Sequence, residues 1–268
     1  MDNRPIGIFD SGVGGLTVVK EVMNNLEGES IVYFGDTARV PYGSKSKQTV
    51  TKFSAQIIRF LIEEDVKAII IACNTVSSNS IEELREIFPD IPMIEVVGPG
   101  VSMALNTTKS GIIGVIGTQA TIQSNKYPEL LLAHNEALKV YGKACPLFVP
   151  LVEDGWADHE VAYQVTKEYL TPLLEKQIDS LILGCTHYPM LARTIKKVVG
   201  SGVELINPAE EAAKRMEDIL IRNNMTSALK TPDYRFYVSD SKERFKEMAQ
   251  IFLNKPIEHI DTVAIEEY

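Results

Sequence analysis

The strongest constraint on this chain is a rhythm. From residue 6 to residue 206, short continuously apolar runs alternate with amphipathic stretches of helical period. The runs are Ile6–Phe9, Ile31–Phe34, Ala68–Ala72, Met93–Val97, Gly111–Ile116, Leu147–Leu151, Ser180–Leu183 and Val203–Ile206. Each has the length of a strand, and near-continuous apolarity means that both faces of the sheet are covered. The cover is legible between the runs. Thr49–Glu64 places Phe53, Ile57, Phe60 and Leu61 on one helical face, and Asn79–Phe88 and Val161–Leu174 share that period. The predicted fold class is α/β, with mostly parallel sheets flanked by helices. Beyond these, a long helix over Ala209–Asn223 and one more strand over Tyr234–Val238 are predicted.

The rhythm also repeats. AIIIACNTVSSNSIEELREIF followed by IPMIEVVGP aligns with SLILGCTHYPMLARTIKKVV followed by GVELINP: strand, Cys, polar pair, helix, strand, proline. A weaker match joins IGIFDSGVGG at Ile6 to IGVIGTQATI at Ile113. Cys73 and Cys185, Pro99 and Pro208, and the two Ile-Gly pairs are all offset by about 110 residues. The reading is two homologous halves related by pseudo-symmetry. Residues 1–97 together with 208–268 form the first domain, and 98–207 the second, with hinge turns at Gly98–Gly100 and Asn207–Pro208.

Composition narrows the partners. With 36 acidic against 27 basic side chains the formal charge is −9, which argues against a nucleic-acid surface. No apolar run approaches the roughly 20 residues of a membrane-spanning helix. MDNRPIGIF lacks the apolar region of a secretory signal, so a cytoplasmic location is expected. Three cysteines and no C-x-x-C argue against a disulfide framework and a thioredoxin-like motif.

Ligands of parallel α/β sheets sit beyond the carboxyl ends of the strands. Five loops begin there: Asp10-Ser11-Gly12, Asp36-Thr37-Ala38, Cys73-Asn74-Thr75, Gly117-Thr118 and Cys185-Thr186-His187. A lone Cys usually just packs, which is the reading for Cys145. Two cysteines at equivalent strand ends, each followed by polar residues, point instead to chemistry. Asp10 has the place of a helix cap as well as of a strand-end acid, and His187 that of a structural cap or of an acid–base partner for Cys185. Neither G-x-G-x-x-G nor a P-loop is present, and C-x-H is not a usual zinc spacing, so no nucleotide, metal or cofactor is expected. Two facing halves put one thiol on each wall of a cleft. One thiolate then removes a weakly acidic proton and the opposite thiol returns one to the other face, while Asn74, Thr75 and Thr186 are available to hold a carboxylate.

IGIFDSGVGGLTVV, GDTARVPYG, ACNT, GVIGT and GCTHYP, in this order, resemble the glutamate racemases of the aspartate/glutamate racemase superfamily over nearly the whole chain. The resemblance implies two flavodoxin-like domains with the site between them, and cofactor-independent interconversion of L- and D-glutamate for peptidoglycan synthesis. It implies Cys73 as the base for D-glutamate, assisted by Asp10. It implies Cys185 as the base for L-glutamate, assisted by His187, with Glu153 supporting His187 and Asp36 as an auxiliary acid. Ser11, Tyr42, Gly43, Asn74, Thr75, Thr118 and Thr186 become substrate-binding positions beside Asp10 and His187, and Pro41 shapes its loop. A homodimer with no direct membrane or nucleic-acid contact is also implied. The rivals are racemisation of another amino acid, for which aspartate racemases carry Glu at the place of His187, a non-catalytic binding or interaction protein, and a Cys73–Cys185 redox switch. The tail after about residue 240 carries no motif.

Overall fold

The structure, a computed structural model, describes residues 1–257 and 259–268. Its first four strands are β1 (Ile6–Asp10), β2 (Ile31–Gly35), β3 (Ala68–Ile71) and β4 (Met93–Glu95). The next four are β5 (Ile112–Gly117), β6 (Lys139–Ala144), β7 (Ser180–Gly184) and β8 (Glu204–Ile206), and the tail adds β9 (Tyr234–Val238) and β10 (Ile260–Thr262). They form two sheets, ordered β10-β9-β2-β1-β3-β4 and β6-β5-β7-β8. Every pairing is parallel. Four consecutive strands thus take the same order, 2-1-3-4, in both sheets. The repeat read in the sequence is a repeat of topology: β1 and β5 are the equivalent inner strands, and β3 and β7 are their equivalent neighbours.

β1, β2, β3 and β7 are buried along their whole lengths, as continuous apolar strands require. The helices α1 (Leu16–Asn25), α2 (Lys47–Glu63), α3 (Asn74–Asn79) and α4 (Ile81–Ile87) belong to the first sheet. α5 (Val97–Thr107), α6 (Gln119–Gln123), α7 (Lys126–His134), α8 (Phe148–Glu153), α9 (Glu160–Leu174) and α10 (Ala192–Val199) belong to the second. α11 (Pro208–Arg222) and α12 (Lys242–Leu253) lie in the tail. One apolar core covers the outer face of the first sheet, built from Phe9, Val32, Phe34 and Ile69 against Ile57, Phe60 and Leu61 of α2. A second covers one face of the other sheet, with Ile113, Val115 and Ile182 against Val101 and Leu131. The largest runs through both: Ile8 and Ile70 join Leu181 and Leu183 through Ala212 and Met216 of α11. Burying an aliphatic side chain is worth about 1.5–3 kcal/mol before chain entropy is counted, so this shared core holds the two sheets as one body.

Three local expectations are corrected. Leu147–Leu151 is not a strand but most of α8, and the strand is β6, KVYGKA. β6 is an edge strand whose residues are exposed or half-buried, so it carries no apolar run, whereas Phe148 and Val152 bury one helical face of α8. Asn79–Phe88 is the end of a longer helical region that starts at Asn74 and breaks into α3 and α4 at Ser80. Gly98–Gly100 is not a turn. Val97, Gly98 and Pro99 open α5, and Pro208 opens α11 behind its cap Asn207, whose Oδ1 accepts from Ala209 N at 3.2 Å. The repeated prolines sit in first helical turns, where a missing N–H costs nothing.

Candidate active site

The carboxyl ends of β1, β3, β5 and β7 face a cavity of about 450 Å³ between the sheets. At the end of β1, Asp10 is fully buried behind the cavity wall. Its Oδ2 accepts from Gly12 N at 3.2 Å and Gly15 N at 3.1 Å, and so shapes the glycine turn into α1. Tyr33 Oη donates to Gly12 O at 2.7 Å from below. Burial raises the Asp10 pKa, and the charge of His187 and the turn amides oppose that rise. The glycines of this turn serve close approach. A Cβ on Gly14 would run into Thr186 Oγ1 and lie 2.5 Å from His187 Nδ1.

Cys73 follows β3 at the start of α3 and lines the cavity, its Sγ 3.7 Å from Ser11 Oγ. Burial and the neighbouring Asp10 push its thiol up to about 12, against the weaker help of the Val76 amide and Ser11. Cys185 follows β7 and lines the same cavity, 3.9 Å from His187 Nδ1. The other ring nitrogen, Nε2, lies 2.9 Å from Glu153 Oε1. Burial alone would lower the His187 pKa, but the hydrogen bonds to Cys185 and Glu153 and the charge of Asp10 outweigh it and raise it to about 10. Burial acts to raise Glu153, yet His187 and Arg244 hold it below the usual carboxylate range. Arg244 Nη2 lies 3.5 Å from Glu153 Oε2.

The walls are joined by polar contacts. Tyr127 Oη donates to Asn74 Oδ1 at 2.7 Å, and the hydroxyl of Thr75 lies 3.0 Å from that of Thr118 and 3.4 Å from that of Thr121. Thr17 Oγ1 donates to Thr186 O at 3.2 Å, and Thr186 Oγ1 to Asp10 Oδ1 at 3.5 Å. Pro41, Tyr42 and Gly43 line the mouth. Of the predicted catalytic and substrate-binding residues, Asp10 and Asp36 alone do not line the cavity. Asp36 is buried beneath the mouth loop, where it accepts from Arg39 Nε at 2.7 Å, from Ser239 Oγ at 2.8 Å and from Tyr42 Oη. Its place is that of an anchor for Tyr42. Cys145 is buried at the end of β6 and does not line the cavity. Among the described residues no group of three or more His, Cys, Asp or Glu side chains is placed to hold a metal ion.

The sequence profile of the Asp/Glu/Hydantoin racemase family matches residues 7–216. A glutamate racemase of Neisseria meningitidis is 44% identical over 98% of this chain and 97% of its own. The crystal structure of a Francisella tularensis glutamate racemase in complex with D-glutamate superposes with a TM-score of 0.94, at 44% identity and with 100% of both chains covered. The chain belongs to the Asp/Glu/hydantoin racemase family. An Escherichia coli glutamate racemase solved with L-glutamate and the activator UDP-MurNAc-ala superposes with a TM-score of 0.81, at 26% identity over 97% of this chain and 98% of that one. The expected fold class, two parallel sheets flanked by helices, is that of these racemases.

The family match ends at residue 216, but this racemase continues its site beyond it. Ser239 holds Asp36, Arg244 faces Glu153, and Phe252 of α12 meets the His187 ring edge-on at 5.9 Å between centroids. Sequence reasoning saw none of these. It also missed Val149 and Pro150, which line the cavity from the same helix as Glu153. A helical reading of LFVPLVE would have placed Val149, Pro150 and Glu153 on one side, four residues apart at most. Nothing in the sequence around Tyr127 or Arg244 marks either residue.

Proposed function

We propose that this racemase interconverts L- and D-glutamate by two-base proton transfer between Cys73 and Cys185, without a cofactor. The observation that carries the reading is the placement of two cysteines, on equivalent strand ends of two sheets with one topology, along a single cavity. Relatives of this chain hold D-glutamate in one crystal structure and L-glutamate in another, which supports glutamate as the substrate.

In this reading the thiolate of Cys185 removes the Cα proton of L-glutamate, and the Cys73 thiol delivers its proton to the opposite face. The reverse reaction exchanges the roles. The Cys73 thiol, pushed up to about 12 by burial and Asp10, holds its proton, which is the form a donor needs. His187 carries a proton 3.9 Å from Cys185 and keeps it through Glu153, so it can stabilise the thiolate and hand a proton back to the sulfur. Asp10 holds the glycine turn behind Cys73 and assists it. Asn74, Thr75, Thr118 and Thr186, with Ser11 and the Pro41–Gly43 loop, supply donors for the carboxylates and for the charge developing at Cα. Asp36 acts through Tyr42. The halves 1–97 with 208–268, and 98–207, are the two units that bring these walls together. We read the product as D-glutamate for peptidoglycan, made in the cytoplasm by a homodimer. Among the described residues no helix is long and apolar enough to cross a membrane.

Circular dichroism of purified protein with L-glutamate, with L-aspartate as the control, tests the substrate. Loss of optical activity with glutamate alone is expected, and turnover of aspartate in its place overturns the assignment. In deuterated water each turnover places deuterium at Cα of the product, and Cys73→Ala or Cys185→Ala abolishes racemisation in both directions. Normal turnover with retention of the substrate's own hydrogen would sink the two-base mechanism.

A further inference from the structure

Tyr127 is a residue that the proposed chemistry does not use. It is 1% exposed, lies on α7 and does not line the cavity. Its ring is wedged between the two places where the cleft is put together. A Cβ on Gly100, in the first turns of α5, would lie 3.3 Å from its Cε1 and Oη, and a Cβ on Gly184, just before Cys185, 3.3 Å from its Cε2. Its hydroxyl reaches across to the other sheet's helix and donates to Asn74 Oδ1 at 2.7 Å. Burial keeps the phenol protonated, so a donor is always available at that point.

The consequence lies at the far side of the Asn74 carboxamide. With Oδ1 turned back to Tyr127, the NH₂ group is the part left for the cavity that Asn74 lines. The opposite rotamer would turn a carbonyl oxygen toward a carboxylate ligand, and two acceptors repel. We infer that Tyr127 is a positioning residue: it fixes the Asn74 amide with its two N–H donors toward the cleft, where they bind a substrate carboxylate. This rests on the glutamate reading above. Because Tyr127 and Asn74 belong to opposite walls, the donor is oriented only when the two halves are together.

Tyr127→Phe removes one hydroxyl and keeps the ring between Gly100 and Gly184. The expected result is a KM for both enantiomers raised about five- to tenfold, the loss of one hydrogen bond, with kcat changed by less than about twofold. In an Asn74→Ala background the same substitution leaves KM unchanged within about 1.5-fold, since the group it acts through is gone. An unchanged KM in the single variant overturns the inference. So does a full additional KM increase in the Asn74→Ala background, because Tyr127 then acts elsewhere. If the wild-type protein does not racemise glutamate, the substrate reading falls, and the side-chain amide resonances of Asn74 decide the positioning by themselves. A shift of both NH₂ protons and faster hydrogen exchange in Tyr127→Phe support it, and unperturbed resonances overturn it.

Discussion

His187 sits at 6% exposure between a sulfur and a carboxylate, a place where a neutral ring would be expected from burial alone. Its neighbours reverse that, and the proton it keeps makes it a donor at every physiological pH. The linkage has a definite sign. A folded-state pKa of about 10, above the ordinary 6.5, makes protonation favour the fold. The contribution is complete below pH 6.5 and is lost as pH rises toward 10. Glu153→Gln removes the charged acceptor at Nε2, lowers the His187 pKa and narrows that window. Urea unfolding followed between pH 6 and pH 10 (about the span of the two pKa values) should show a smaller alkaline loss of stability in the variant than in the wild type. Equal losses would mean that Glu153 does not hold the proton. At this scale the cysteines, Asp10 and His187 were legible because each lies at or just beyond the end of a buried strand. Glu153 was legible through the family resemblance and not through spacing, because an acid on a short helix looks like a solvated charge until the helix is known to face His187.

The glycine-rich turn after β1 looks from its letters like a phosphate loop that failed. As an element it is a spacer, cut to let the other half approach. Thr186 and His187 occupy the volume that a side chain at Gly14 would need. Gly14→Ala should therefore fold, since the core beneath it is untouched, but push His187 and Thr186 outward. Displacements of about 1 Å at such a site cost about a hundredfold in rate. A kcat/KM fall of that order, with far-ultraviolet circular dichroism unchanged, is expected, and full activity would show that the approach is looser than the geometry says. Elements also explain what was misread. Leu147–Leu151 reads as a strand where apolar density outweighs period, while β6 gives no apolar signal because an edge strand half in water need not be apolar. α12 had no motif, yet its Arg244 and Phe252 press on the Glu153–His187 pair from the opposite half.

For the whole molecule, the cleft is both the site and the seam. The shared core beneath it is apolar, while the rim contacts, such as Thr75–Thr118 and Lys126–Glu82 at 2.8 Å, are polar and individually weak. A ligand that bridges the walls adds to that seam. D-Glutamate at a hundredfold excess over its Kd should stabilise the fold by about 2.7 kcal/mol and raise Tm, whereas D-aspartate at equal concentration should do less. Calorimetric scans with each amino acid check this, and an equal effect from aspartate counts against a cleft sized for glutamate. The sequence by itself determined the parallel α/β class, the internal repeat and the thiol at each repeated strand end. Those depend on the local period of apolar residues and on turns a few residues long, which any window of the chain displays. Only the tertiary structure decided which further distant residues meet there: Tyr127 with Asn74, Arg244 with Glu153 and Ser239 with Asp36. Such pairs are joined by packing between elements far apart in the chain. Their energy comes from distance and burial in three dimensions, so no period or spacing along the sequence records them.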